Sequence, residues 1–286
     1  MSRSREERVL TEEFDKDYRL AQMEVMRELE RAVCGCDYGG TSWTTQSEAR
    51  HVGQLLGLGA GMRLLEVGAG SGWPGLYLAR TTGCDVALVD VPLEGLRIAA
   101  ERAAVDQPAG ECWVILADGA ALPFKNGGFD AVSHSDVLCC LEAKLPVLRD
   151  CRRVVRTGGR MVFTVISVAP GIASPDYRRA LEAGPPFVEA PVEYPIMLKQ
   201  AGWKITYHAD LTAEYVESAR RLLREQEARA ARLKELLGEA QLTERLAGHR
   251  ATLGVLEQGL LRRDLFATTT TMAYEPESEE GDRTGA

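Results

Sequence analysis

A glycine-rich segment, LLEVGAGSGWPG at 64–75, constrains the fold of this chain more than any other feature. The apolar run MRLLEV leads into it. WPGLYLARTT follows with a helical pattern that has Pro74 in its first turn, where a missing N–H costs nothing. From Gly70 onward the glycines have the GxGxxG spacing, and Asp90 stands twenty residues later, at the end of a second apolar run. This spacing predicts a β-α-β unit that binds an adenosine-containing ligand, because glycines let the backbone approach the ligand and a carboxylate accepts hydrogen bonds from a ribose diol.

Apolar runs alternate with helical patterns along most of the chain. The further predicted strands cover 84–90, 111–117, 129–134, 160–167, 204–211 and 260–275. Helices are predicted over 9–33, 46–58, 92–105, 136–155 and 195–203, and a charged helical stretch covers 213–262. Strands that alternate with helices of this length indicate an α/β fold with a parallel sheet.

Composition excludes several classes of partner. The 286 residues include 42 acidic and 34 basic side chains, a net charge of −8, which argues against a surface that binds nucleic acid. No apolar run approaches the ~20 residues that span a bilayer, and the charged N-terminal segment has no apolar signal region. The seven cysteines include a Cys34–Cys36 pair but lack the spacing of a zinc site. We therefore expect a cytoplasmic protein with free thiols, no metal and no nucleic-acid or membrane partner.

Two carboxylates favour a ligand other than a dinucleotide. Glu66 precedes the glycines, and a negative charge there would repel a pyrophosphate but suit the cationic end of an amino acid. Asp118 follows the third predicted strand, where it could accept the exocyclic amine of adenine, although a turn or N-cap carboxylate would explain it too.

Successive motifs of the chain resemble those of class I S-adenosylmethionine (SAM)-dependent methyltransferases over roughly residues 41–168. The matching segments are EVGAGSG, Asp90, ADGAALPF, FDAVSHSDVL and RTGGRMVFT. The resemblance is to the small-molecule branch, with ubiquinone/menaquinone C-methylases and phosphoethanolamine- and glycine-type N-methyltransferases. It implies a Rossmann-like, seven-stranded, mostly parallel sheet whose last strand runs antiparallel between the fifth and sixth. It also implies transfer of a methyl group from SAM to an O, N or C nucleophile of a small molecule, with S-adenosylhomocysteine (SAH) as product.

The same resemblance assigns cofactor contacts. Glu66 and the loop glycines would face the methionine part, Asp90 the ribose, and Val91 and Asp118 the adenine. The full predicted set is Trp43, Thr44, Glu66, Gly68, Gly70, Gly72, Asp90, Val91, Asp118, Gly119, His134 and Ser135.

Candidates for catalysis follow the fourth strand. His134 is the best candidate for a base, but a residue at this position can simply line the cofactor pocket. Asp136 corresponds to an acidic residue near the substrate in phosphoethanolamine-type enzymes, and it could equally be the N-cap of the helix predicted over 136–155. Predicted substrate contacts are Tyr38, Tyr177, Arg178 and Phe187.

The expected organisation has five parts. A helical cover spans 1–58, a SAM-binding core 59–168, a substrate lid 169–195, the end of the core sheet 196–274 with a helical insertion at 213–262, and a disordered acidic tail 275–286. The chain is expected to be a monomer or a homodimer.

Two other functions stay open. One is a SAM-binding protein of the same fold that catalyses a different reaction, such as a cyclisation. The other is an NAD(P)-dependent oxidoreductase, which the GxGxxG spacing allows but which lacks an evident Tyr-x-x-x-Lys pair.

Overall fold

A computed structural model describes residues 4–270, in which seven strands form one mixed sheet. The strands are β1 (Arg63–Val67), β2 (Asp85–Asp90), β3 (Cys112–Leu116), β4 (Phe129–Ser135), β5 (Val155–Val168), β6 (Trp203–Asp210) and β7 (Leu261–Thr270). Their order is β3-β2-β1-β4-β5-β7-β6. β1 to β5 pair in parallel, and β7 runs antiparallel between β5 and β6. The α/β fold predicted from the sequence, including the place of the last strand, is confirmed.

Eleven helices of the described region surround the sheet. They are α1 (Arg5–Ala21), α2 (Glu24–Cys34), α3 (Gln46–Leu56), α4 (Gly75–Thr82), α5 (Leu93–Asp106), α6 (Lys144–Val154), α7 (Ser174–Ala183), α8 (Tyr194–Gln200), α9 (Thr212–Ala228), α10 (Ala230–Leu237) and α11 (Glu239–Glu257). Within residues 4–270, none of them is both long and apolar enough to span a lipid bilayer.

The central strands are apolar on both sides because helices cover both faces of the sheet. Leu64 and Leu65 point to opposite faces and are both fully buried, in separate apolar clusters. A third cluster joins α2 to the insertion between β6 and β7, through Val25, Leu29 and Leu233. The N-terminal helices and the insertion therefore form one helical cap.

Two local predictions are corrected. The helix expected over 9–33 is two helices, because Met23 is extended (ψ of 140°) and the two halves pack on different partners. The helix expected over 136–155 begins only at Lys144, after a 3₁₀ turn at Leu138–Cys140. Pro146 falls in the first turn of α6, where its missing N–H has no intrahelical partner to lose.

The elements predicted for the C-terminal half of the chain differ less from the structure. The lid expected over 169–195 contains α7 and the start of α8 rather than an irregular loop. β5 begins at Val155, before the start of the strand predicted over 160–167. The last strand is described to Thr270, and the acidic tail predicted over 275–286 lies outside the described residues.

Candidate active site

The glycine loop lies at the carboxyl end of β1. Gly68 and Gly70 have φ of 69° and 51°, a region that other residues rarely adopt. A side chain on Gly68 would come within 2.3 Å of Val137, and one on Gly70 within 2.3 Å of the Tyr18 hydroxyl oxygen. Both positions therefore need glycine for conformation and for space.

Asp90 at the end of β2 fixes this loop. Its Oδ2 accepts a hydrogen bond from the Gly70 backbone N–H at 2.7 Å, and its Oδ1 accepts one from the Val91 N–H at 2.7 Å. The carboxylate thus joins the ends of two neighbouring parallel strands, at the edge of the sheet where open α/β folds bind ligands.

A cavity of about 260 Å³ opens at this edge. Six of the predicted site residues line it: Trp43, Gly68, Gly70, Asp90, Ser135 and Asp136. Ser71 lines it too, and its buried hydroxyl has no hydrogen-bond partner among residues 4–270. A cradle of bare glycines beside an unpartnered buried hydroxyl fits a ligand that brings its own polar groups.

Helix α1 forms a wall of this cavity that sequence reasoning missed. Glu7, Leu10, Thr11, Phe14 and Tyr18 line it. The Tyr18 ring stacks on Phe14 and is wedged between the glycine loop and α5, and burial together with the nearby Asp90 raises the pKa of its phenol. The aromatic pair at i and i+4 was the signal that could have shown this face of the helix.

Glu66, which was predicted to contact the cofactor, is not among the residues that line the cavity. It is fully buried beneath the loop, where one carboxylate oxygen accepts a hydrogen bond from the Ser133 hydroxyl. Its other oxygen has no partner in the described chain, and burial raises the pKa of the carboxyl to about 7. Strand alternation puts Glu66 on the same face as the buried Leu64, and an added Cβ at Gly75 of α4 would lie 3.3 Å from the Glu66 side chain, so Glu66 packs beneath this helix.

His134 is not placed as a base. Its side chain is 1% exposed and stacks on Phe163 with the ring centroids 4.5 Å apart. Neither ring nitrogen has a partner within residues 4–270, and burial lowers the pKa of the imidazole to about 3. The ring lies in the core, so a cofactor contact at this position would involve the backbone.

Asp136 is neither a helix N-cap nor a free carboxylate. Its φ is 55°, and both of its oxygens accept hydrogen bonds from Arg263 of β7 at 3.0 Å. Arg263 is 1% exposed and also donates to Glu48 at 2.9 Å. Because a buried arginine neutralises it, Asp136 is a poor candidate for the catalytic base.

The remaining predicted cofactor residues are not among those that line the cavity. The Thr44 side chain meets Arg263 at 3.4 Å, and the backbone carbonyl of Thr44 accepts a hydrogen bond from the indole of Trp73. Asp118 accepts a hydrogen bond from the Ala120 N–H at 2.8 Å, a turn contact of the kind weighed above. Gly72, Val91 and Gly119 are likewise outside the lining residues.

None of the four predicted substrate residues lines this cavity. Tyr38 is buried beside Trp73 and donates its hydroxyl proton to Asp106 at 2.9 Å. Tyr177 bonds to Glu189 and lines a separate cavity of about 560 Å³. Arg178 is exposed on α7, and the backbone of Phe187 bonds to Cys139 and Lys144. The loop aromatics and the arginine therefore have structural partners or face solvent instead of the cavity.

Comparison with known proteins agrees with this geometry. Residues 65–163 match the family model described as a methyltransferase domain. The chain is 31% identical over 115 residues to the methyltransferase GfsG of Streptomyces halstedii, covering 40% of this chain and 41% of that protein. The chain spans about half the length of the curated relatives that it matches first.

Two solved structures have a similar fold. Phosphoethanolamine N-methyltransferase 2 of Haemonchus contortus, in complex with phosphomonomethylethanolamine and SAH, superposes with a TM-score of 0.73 at 16% identity, over 90% of this chain and 60% of that one. The cyclase SpnF superposes with a TM-score of 0.69 at 18% identity, over 95% of this chain and 99% of that one. Residues 65–163 are therefore similar to a methyltransferase domain, and the sheet around them has the same fold as these two solved structures.

Proposed function

We propose that this chain binds SAM in the cavity at the sheet edge and transfers its methyl group to a small-molecule acceptor. The observation that supports this most directly is the glycine loop, which Asp90 holds open toward the cavity through its bond to Gly70. A ribose diol can bind beside that carboxylate, and the loop leaves room for a backbone-lined amino-acid end.

The residues of the chain act mainly by binding the cofactor and enclosing it in the cavity. Asp90 and the Ser71 hydroxyl would bind polar groups of the cofactor, and Asp118 with Gly119 would contact the adenine edge. Tyr18 and Trp43 close the cavity from the helical cap and exclude water. When bound, SAM supplies both the methyl electrophile and its leaving group, so the protein mainly provides proximity and orientation.

The placement of the two candidate bases also indicates that the protein acts mainly by positioning. His134 is buried in the core, and Asp136 is neutralised by Arg263. We therefore propose that the protein accelerates methyl transfer by positioning the acceptor against the methyl group, and not by proton removal through either of these side chains.

Calorimetry and a transfer assay test the proposal. We expect SAH to bind the full chain and NAD to give no heat, and we expect label from methyl-labelled SAM to appear in a small-molecule acceptor. Binding of NAD without binding of SAH would overturn the proposal.

A second candidate is a SAM-dependent fold that carries out a cyclisation. The match to SpnF over nearly all of both chains favours keeping it. The two functions differ in one readout, because a cyclase would hold the cofactor without consuming it, whereas a methyltransferase releases one SAH for each methyl group transferred.

We further propose a cytoplasmic location and a role in small-molecule biosynthesis, as a monomer or a homodimer. All seven cysteines are free, which suits a reducing compartment. Finding the protein in an oxidising compartment, with its cysteines oxidised, would argue against this location.

A further inference from the structure

We propose that the acceptor is a largely apolar molecule that carries neither a phosphate nor a carboxylate. This inference rests on the proposed function, because it assumes that the cofactor occupies the glycine-loop side of the cavity. It concerns the other side, near the ends of β4 and β5.

Several of the side chains that line the cavity beyond the glycine loop are apolar. We define six of them as the acceptor wall: Leu10, Phe14, Trp43, Leu141, Ile166 and Pro185. These side chains come from five separate parts of the chain: α1, the loop before α3, the segment around the 3₁₀ turn, the end of β5 and the segment after α7. An apolar body placed against them gains roughly 25 cal/mol for each Å² of its surface that leaves water.

The cavity offers an anion no cationic side chain. Among the residues of the described chain that line it, none is a lysine, an arginine or a histidine. Its carboxylates are Glu7, which is buried and accepts the Glu142 N–H at 3.1 Å, together with Asp90 and Asp136. A phosphate or carboxylate entering here would lose its hydration and meet like charge.

The cation behind Asp136 is already engaged, because Arg263 has both that carboxylate and Glu48 as partners. In an adjoining cavity of about 300 Å³, Arg245 lies 3.9 Å from Asp17, and its buried Nε has no hydrogen-bond partner among residues 4–270. Arg245 does not line the cavity at the sheet edge, so an anionic group bound on the acceptor wall would meet no cationic side chain there.

A matched ligand pair tests the inference by binding alone. Calorimetry on the full chain saturated with SAH compares 2-naphthol, which is neutral at pH 7, with 2-naphthoate and 2-naphthyl phosphate. We expect 2-naphthol to bind at least about tenfold more tightly than either anion. Equal or tighter binding of an anion, or no binding of 2-naphthol up to its solubility limit, would overturn the inference.

A pair of variants on one helix adds a second measurement. Leu10→Arg puts a cation on the acceptor wall, and Val9→Arg puts the same charge one residue away, at a position that is 47% exposed and outside the lining residues. We expect Leu10→Arg to bring the affinity for 2-naphthoate up about tenfold relative to 2-naphthol, and Val9→Arg to leave the ratio unchanged. An unchanged ratio in a Leu10→Arg protein that still binds SAH counts against the inference.

The two proposals fail differently. If SAH does not bind the wild-type chain, the proposed function fails. If SAH binds and the anionic naphthalenes are preferred, the function stands and the acceptor class is wrong.

Discussion

Asp90 shows how one side chain both builds the site and is expected to serve it. Each of its oxygens already accepts one backbone N–H, from Gly70 and from Val91. A carboxylate oxygen can accept further hydrogen bonds, so the same group can hold the loop and bind a ribose diol. The position in the sequence predicted the second role, but only the structure shows the first.

Asp90→Asn is expected to weaken SAH binding by roughly ten- to a hundredfold, because an amide nitrogen replaces one charged acceptor. Calorimetry measures the change. Asp85→Asn is the matched control, since Asp85 begins the same strand and caps the Glu111 N–H at 2.9 Å, away from the cavity. Equal SAH affinities for the two variants would contradict the assigned position of the cofactor.

Arg263→Met is expected to lower the free energy of unfolding by about 3–5 kcal/mol, because it leaves Asp136 and Glu48 buried without their shared cation. Urea denaturation measures it. Arg220→Met removes an arginine from an exposed pair with Glu257 and should cost no more than ~1 kcal/mol. A similar small loss at Arg263 would show that the buried pair contributes little.

The buried His134 and Glu66 should give opposite pH dependences of stability. Burial lowers the pKa of His134 to about 3 in the folded chain, so the stability that the neutral ring contributes is present above its unfolded pKa of ~6.5 and is lost as the pH falls. Burial raises the pKa of Glu66 to about 7, so the stability from its protonated form is present below ~4.5 and is lost as the pH rises to about 7.

Variants isolate these two contributions. Between pH 6.5 and 4.5, wild type should lose stability relative to His134→Phe as the pH falls, by on the order of 1 kcal/mol per pH unit. Over the same range it should gain stability relative to Glu66→Gln. Urea denaturation at several pH values measures both differences, and slopes of the same sign would refute this account. His134→Phe should also retain methyl transfer, since the ring lies in the core.

At the scale of elements, α1 differs most from the sequence prediction. Apolar periodicity located a helix, but periodicity carries no information about which partner each turn meets. α1 packs on the glycine loop and α5, whereas α2 packs on the insertion helices, so the chain turns between them at Gln22 and Met23. The cover predicted over 1–58 thus contributes cavity walls from its first helix.

Asp15→Ala tests the attachment of α1. Asp15 accepts the Glu94 N–H at 2.8 Å, so a side chain of α1 caps the first turn of α5. We expect a loss of about 1 kcal/mol in unfolding free energy and a several-fold weaker SAH affinity, measured by urea denaturation and calorimetry. Glu13→Ala, an exposed change on the same helix, should alter neither.

The strands and the glycine loop could be predicted because their signals are local: apolar runs, glycine spacing and a carboxylate at a strand end. The partners of His134, Asp136 and Tyr38 could not, because each depends on a residue far away in sequence. Arg263 reaches Asp136 only because β7 inserts between β5 and β6. A local sequence pattern therefore cannot predict contacts between side chains that the fold brings together from distant positions.

Across the whole molecule, the thiols report how tightly the chain is packed. Five of the seven cysteines are buried, and Cys112 and Cys140 are partly buried. Burial raises the pKa of Cys112 to about 11 and those of Cys34 and Cys151 to about 12.

We therefore expect iodoacetamide to alkylate the folded chain slowly at neutral pH and all seven thiols to react in urea, as measured by mass spectrometry. Because Cys139 and Cys140 line the cavity, SAH should slow their reaction further. Rapid labelling of Cys36 in the native chain would be inconsistent with the packing described here.

Tyr18 lies against Gly70, and five residues of α1 wall the cavity. A ligand seated on the glycine loop would therefore lie between that loop and α1, deeper in the cavity than a second molecule bound outside it. For the proposed methyl transfer, we therefore expect steady-state kinetics with a compulsory order, in which the donor enters first and its spent form leaves last.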